Sequence, residues 1–195
     1  MSYFLFKNQI YRFKGSKKLK HILMQKPISF KNSIMLDIGA STGGFTYLLL
    51  TLGIKYIYSV DVGINQLCFE IKNNFCVISL ENIHVMQILK KYFLKKPNVS
   101  VIDLSFISLY KILLFLLLYM NKKSRLYVLI KPQFEVKKRF IIKGIVYKKY
   151  VQKMAVQNII YYTGINLKTN IIKLYKSSLD NINRNMEYWF IFETM

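Results

Sequence analysis

The stretch Asp37-Ile38-Gly39-Ala40-Ser41-Thr42-Gly43-Gly44-Phe45-Thr46 decides how this chain folds. An apolar run leads into it and ends at Ile38. A pattern with Phe45, Leu48, Leu49 and Leu52 at helical spacing leads out. That is strand, tight glycine turn, helix. Gly39 lets the chain reverse sharply, and Gly43 and Gly44 let backbone approach a ligand and let the helix pack on the sheet. The N–H groups at the helix start are expected to be open to a polar or anionic ligand.

About 20 residues further on, a second strand-like run, Tyr56-Ile57-Tyr58-Ser59-Val60, ends in Asp61, where an acid can hold ribose hydroxyls. The glycines do not follow GxGxxG, so a nicotinamide cofactor fits poorly. A strand ending in an acid, followed by GxxxGG, looks more like a site for S-adenosylmethionine. A plain glycine-rich loop of an α/β domain is the competing reading.

Outward from this core, strands and helices alternate. Strands are expected at 33–38, 55–60, 75–80, 99–102 and 126–130, with a closing pair at 171–175 and 188–192. Helices are expected at 17–24, 43–52, 65–73, 85–94, 108–120 and 151–162. Pro27 and Gly164 are expected stops, and Val151, Met154, Ala155, Ile159 and Tyr162 the inward face of the last helix. Residues 134–147 read as irregular and basic. This alternation implies an α/β fold, a Rossmann-like, mostly parallel sheet with helices on both faces. No repeat, linker or second domain is visible. The expected organisation is a basic arm over 1–15 and one domain over 16–195.

Composition narrows the partners. The chain has 195 residues, 30 Lys and Arg against 9 Asp and Glu, and a net charge of +21. A polyanion, nucleic acid or an anionic membrane surface, is the implied partner. Lysine far outnumbers arginine, and Asn, Ile, Tyr and Phe abound, so A/T-rich codons inflate the size of this charge. Cys68 and Cys76 have no metal-ligand spacing, which points to a reduced, cytosolic compartment. His21 and His84 are the only histidines, and neither has ligand spacing, so no metal is expected. The first residues hold too short an apolar run for a signal peptide, and Ile112 to Met120 falls short of a membrane span.

The charged residues fall into one line. Asp37, Asp61, Asp103 and Lys131 each stand at or just past the carboxyl end of a different expected strand, the edge where open α/β sheets bind ligands. Taken singly, each could be a satisfied strand-end charge. Together with the glycine turn they mark a site.

Read in order, the motifs DIGASTGGFT, SVDVG, IDLSFISL and LIKPQFE resemble the TlyA family. These are ribosomal RNA 2′-O-methyltransferases of FtsJ-like fold, some of which carry the name hemolysin. The resemblance implies a catalytic set of Lys18, Asp103, Lys131 and Glu187. It also implies cofactor contacts at Asp37, Gly39, Ala40, Ser41, Gly43, Gly44, Phe45, Asp61, His84 and Asp103, with S-adenosylmethionine bound without metal. A ribose hydroxyl is a weak acid, so a lysine must take or share its proton while the donor is held in line. By this resemblance Lys131 handles the proton, Lys18 is the second cation, and Asp103 and Glu187 orient the pair. The expected partner is ribosomal RNA or a ribosomal subunit, in a bacterial cytoplasm or a bacterium-derived organelle.

Three features depart from the family pattern. About a dozen residues precede the match, so its small N-terminal RNA-binding domain is expected to be absent. Ile145 replaces a glycine of the usual KGGV turn. Asn181 and Arg184 stand where glycines are usual. A non-catalytic RNA-binding or ribosome-assembly factor that keeps the fold is therefore the alternative. A membrane-active hemolysin finds no lytic or spanning helix to support it.

Overall fold

The computed structural model describes residues 14–25, 29–177 and 185–195. Most of the expected arm, the stop at Pro27, and Asn181 and Arg184 lie outside these residues.

Seven strands form one sheet in the order β3-β2-β1-β4-β5-β7-β6. They are β1 (Ile34–Ile38), β2 (Tyr56–Val60), β3 (Val77–Leu80), β4 (Val99–Ile102), β5 (Arg125–Ile130), β6 (Thr169–Lys176) and β7 (Tyr188–Thr194). The first five are mutually parallel. β7 runs antiparallel between β5 and β6. The chain order reverses between β1 and β4, which opens a crevice beyond their carboxyl ends.

Alternation along the strands fills both faces. Leu36, Ile38, Tyr58, Val60, Ile102, Phe190 and Phe192 face one way. There they meet Ile112, Leu113 and Leu116 of α4 (Leu109–Leu117) and Val156 and Ile159 of α6 (Lys149–Asn166). Met35, Ile57, Val101, Leu129, Trp189 and Ile191 face the other way. They meet Leu19 and Ile22 of α1 (Lys14–Gln25) and Phe45, Leu48 and Leu49 of α2 (Gly44–Leu50). α1 thus follows the expected amphipathic pattern and carries Lys18 along the side of its buried stripe.

Three expected helices differ. Of 65–73 only α3 (Phe69–Lys72) is helical. Asn65 is left-handed, with φ 53°, and Glu81 Oε1 takes the N–H groups of Gln66 and Leu67 at 2.9 and 3.2 Å. The left-handed residue keeps the helix from starting there, and a distant carboxylate holds the two N–H groups that follow it. Residues 85–94 form two short 3₁₀ turns, Val85–Gln87 and Lys90–Tyr92, split by an extended Leu89. Gly164 does not stop α6, which runs on to Asn166. A glycine inside a helix costs only about 1 kcal/mol, and the chain turns instead at Lys168, with φ 48°. The inward face of α6 is Val151, Ala155, Val156, Ile159 and Thr163. Met154 and Tyr162 are more exposed.

The basic segment after β5 is less irregular than expected. It holds α5 (Pro132–Glu135), a 3₁₀ turn at Lys138–Phe140, and a tight reversal in which Ile142 and Ile145 bridge. Lys143 and Gly144 take φ 48° and 80° at its tip, so the isoleucine at 145 stands clear of the position that needs left-handed backbone.

Candidate active site

The glycine turn is held from both sides. Gly39 and Ala40 donate to Val60 O at 2.9 and 3.1 Å, and Gly43 donates to Ala40 O at 2.8 Å. Gly39 has φ 84°, and a Cβ there would clash with the carbonyl oxygen of Asp103. The turn therefore lies directly against the end of β4.

One N–H group of the turn, that of Ser41, is taken by a carboxylate of the chain. Asp61 Oδ2 accepts from Ser41 N at 2.7 Å and Asp61 Oδ1 from Gly63 N at 2.8 Å. Asp37 is fully buried. Its Oδ2 accepts from Thr46 Oγ1 at 2.7 Å, and that hydroxyl lies 2.8 Å from Ser59 Oγ. Among the described residues Asp37 Oδ1 has no hydrogen-bond partner. Burial pushes the Asp37 carboxyl up to about 7, against the hydrogen bonds from Thr46, and the charges of Asp103 and Asp61 add to the rise. Asp103 is paired with Lys131 and burial disfavours charge on Asp37, so the Asp61 carboxylate is the group that favours a cationic centre such as a sulfonium or ammonium here.

Beside the turn lies a cleft of about 250 Å³. Ile38, Val60, Val62, Ile83, Val85, Leu104 and Ile107 give it apolar walls, and Gly39, Asp61, His84, Ser105 and Phe106 complete the lining. His84 caps the 3₁₀ turn that follows it, its Nδ1 accepting from Met86 N at 3.2 Å. Flat apolar walls with one carboxylate at the rim suit a nucleoside, the walls taking the base and Asp61 the ribose hydroxyls.

Gly39, Asp61 and His84 therefore line the cleft, and Ser41 borders it through Asp61. The other residues of the turn lie further in. Phe45 is in the core, its ring 5.8 Å from Trp189, because the first turn of α2 rotates it toward β7. Asp37, Ala40, Gly43 and Gly44 are buried beneath the turn. They shape the cleft from below.

The four expected catalytic residues come together as two ion pairs. Lys131 Nζ lies 2.6 Å from Asp103 Oδ1 and donates to Ser105 Oγ at 3.0 Å. Lys18 Nζ lies 2.6 Å from Glu187 Oε2. The sheet joins the pairs: Ile130 faces Tyr188 in the β5–β7 ladder, so Lys131 and Glu187 are the next residues out on facing strands. All four side chains are below 20% exposed. Among the described residues no group of three or more His, Cys, Asp and Glu could hold a metal ion.

The structure adds residues that reading the motifs singly did not find. Glu135 accepts from Ser108 Oγ at 2.7 Å and from Leu109 N at 3.0 Å. Burial raises its carboxyl above the usual range despite those bonds. This one side chain caps α4 and locks the IDLSFISL segment to the LIKPQFE segment. Asn185 does similar work near Glu187. Its amide donates to Gly144 O at 2.7 Å and accepts from Val146 N at 2.9 Å, fastening the 142–145 turn to the approach of β7. Both were visible only as short polar residues within motifs.

The profile of the FtsJ-like methyltransferase family matches residues 11–194. Hemolysin A of Brachyspira hyodysenteriae is 42% identical over 132 residues, covering 67% of this chain and 55% of that protein. The 16S/23S rRNA (cytidine-2′-O)-methyltransferase TlyA of Mycobacterium tuberculosis is 36% identical over 125 residues, covering 64% and 47%. The chain spans about half the length of the curated relatives it matches. A solved structure of a candidate hemolysin from Streptococcus thermophilus superposes with a TM-score of 0.87 at 31% identity, covering 93% of this chain and 66% of that one. The fibrillarin/Nop5p complex shares the fold alone, with a TM-score of 0.65 at 17% identity over 95% of this chain and 82% of that one.

Proposed function

The chain belongs to the FtsJ-like methyltransferase family, and on that premise we propose that it transfers a methyl group from S-adenosylmethionine to a ribose 2′-hydroxyl of ribosomal RNA. The observation that carries this reading is the adjacency of the pairs Lys131–Asp103 and Lys18–Glu187 at the carboxyl edge of the sheet, beside the cleft. Residues 16–195 form the methyltransferase domain, with residues 1–15 as a basic arm. The setting is the cytoplasm, where ribosomal subunits are available. Among the described residues no helix is long and apolar enough to cross a membrane.

S-adenosylmethionine would supply an electrophilic methyl on a positively charged sulfur. Asp61 would hold its ribose and favour its positive centre, and the apolar walls would take its base. The chain's own residues then act on the acceptor. Asp103 and Ser105 fix Lys131 Nζ in position, and Glu187 fixes Lys18 Nζ. Lys131, after yielding a proton of its own to solvent, would take the hydroxyl proton and leave the ribose oxygen able to accept a methyl group. Lys18 steadies the developing negative charge on oxygen.

The test is transfer of labelled methyl to ribosomal subunits from the same cells, followed by nucleoside analysis. Wild type should place the label on a ribose 2′-oxygen. Lys131→Ala should lower the rate about 10²- to 10⁴-fold with cofactor and RNA binding retained. Lys131→Arg should also be inactive, since a guanidinium cannot give up its proton at working pH and holds its nitrogens in a planar fork. Wild-type protein that binds subunits without modifying them would establish the non-catalytic alternative. Full activity in Lys131→Ala would overturn the residue assignment.

A further inference from the structure

We infer that the amino-terminal edge of the sheet, on the far side from the cleft, is a second RNA-binding surface. This rests on the reading of RNA as substrate. The segments that enter β1 through β6 meet at that edge: residues 29–33, 51–55, 73–76, 93–98, 118–124 and 167–168. Together they contain seven lysines and no acid. Lys55, Lys95, Lys96, Lys122, Lys123 and Lys168 are all exposed, as is Lys31. Among the described residues the one acid at this edge is Glu193, and Arg125 engages it.

The opposite edge differs. Asp37, Asp61, Glu81, Asp103, Glu135 and Glu187 all stand at or near the strand ends there, and the remaining described acid, Glu70, lies on α3. Codon bias raises the lysine count everywhere, but it has no means of sorting acids by sheet edge. That segregation is a property of the fold.

The surface is also held in place. The Tyr58 hydroxyl bonds Lys95 at both its N–H and its carbonyl, at 3.2 and 3.1 Å. Asn121 Nδ2 donates to Lys96 O at 2.9 Å and Asn121 N to Pro97 O at 2.8 Å, tying the two lysine pairs side by side. Phe75 supplies a second kind of contact. It is 96% exposed and stands level with Lys55, two residues before the facing pair Ile57 and Val77. Lysines interleaved with an exposed aromatic ring suit phosphates and an unstacked base, respectively. The five parallel strands, four to six residues long, at about 3.3 Å per residue keep the two edges on the order of 13–20 Å apart.

The experiment compares full-length wild type with a variant carrying Lys95→Glu, Lys96→Glu, Lys122→Glu and Lys123→Glu. Binding to purified ribosomal RNA from the same cells is measured across a salt series, with circular dichroism and S-adenosylmethionine binding as folding controls. If the glutamate variant fails those controls, the four glutamine substitutions replace it. Losing four phosphate contacts should lower the slope of log affinity against log salt by about 3 and weaken binding at least tenfold at low salt. Phe75→Ala should weaken binding roughly 5- to 150-fold and leave the slope unchanged. Wild-type affinity and slope in the lysine variant would overturn the inference. So would a loss confined to phosphatidylglycerol vesicles, with RNA binding intact. A wild-type protein that binds RNA but transfers no methyl overturns the enzymatic reading alone, because the salt slopes still decide this one.

Discussion

Asp37 makes stability depend on pH in a direction opposite to that of most carboxylates. Its carboxyl is wholly buried and its pKa is raised from 3.8 to about 7, chiefly by desolvation. A folded pKa above the unfolded one adds stability that is fully present below about 3.8 and is lost as pH rises through about 7. Each pKa unit is worth about 1.4 kcal/mol. Integrating the linkage relation from about pH 5 to about pH 8 gives a loss of about 2.6 kcal/mol from this one side chain. Asp37→Asn keeps an oxygen for Thr46 Oγ1 and cannot ionise. Urea unfolding of both proteins at intervals across that range is the assay. The stability difference between variant and wild type should move by about 2.6 kcal/mol in favour of asparagine as pH rises. Glu135, whose pKa is also raised, contributes to both proteins alike and cancels. A difference that stays constant from about pH 5 to about pH 8 would refute the argument that Asp37 is protonated in the folded protein near neutrality.

Two further outcomes follow from the site. A cation bound at the turn should pull the Asp37 proton off, so calorimetry should show S-adenosylmethionine binding tighten as pH rises through about 7, while S-adenosylhomocysteine, which lacks the sulfonium charge, should respond less; Asp61→Ala should weaken both by removing the ribose acceptor and loosening Ser41. Glu135→Ala leaves Leu109 N and Ser108 Oγ without their acceptor and should lower unfolding stability by about 1–3 kcal/mol, read as a drop in Tm.

The strands that build the core were legible because each is a short apolar run closed by an acid, a glycine or a proline. The 99–102 strand was found to the residue. The same reasoning extended helices through 65–73 and 85–94, because apolar spacing looks alike whether a helix or an extended chain buries it. Ile88 and Val85 are buried as the pattern implied, but from 3₁₀ turns. Residues 65–68 stay out of the helix, with Asn65 left-handed and Gln66 and Leu67 held by Glu81, a residue that no local window contains. The pairing of Lys18 with Glu187 was legible only through motif resemblance, since 169 positions separate them and lysines are everywhere in this chain. That the Phe45 ring turns into the core was not legible, because a motif marks a stretch of backbone without saying which of its side chains turn inward.

β7 pairs with strands on both sides, so it enters the sheet after β5 and β6 have been made. Glu187 comes with it. The cleft, by contrast, is lined wholly by residues 38 to 107. The cleft is therefore synthesised well before the carboxylate that pairs with Lys18. On the reading proposed above, a growing chain would acquire the means to hold a methyl donor first and the means to use it last.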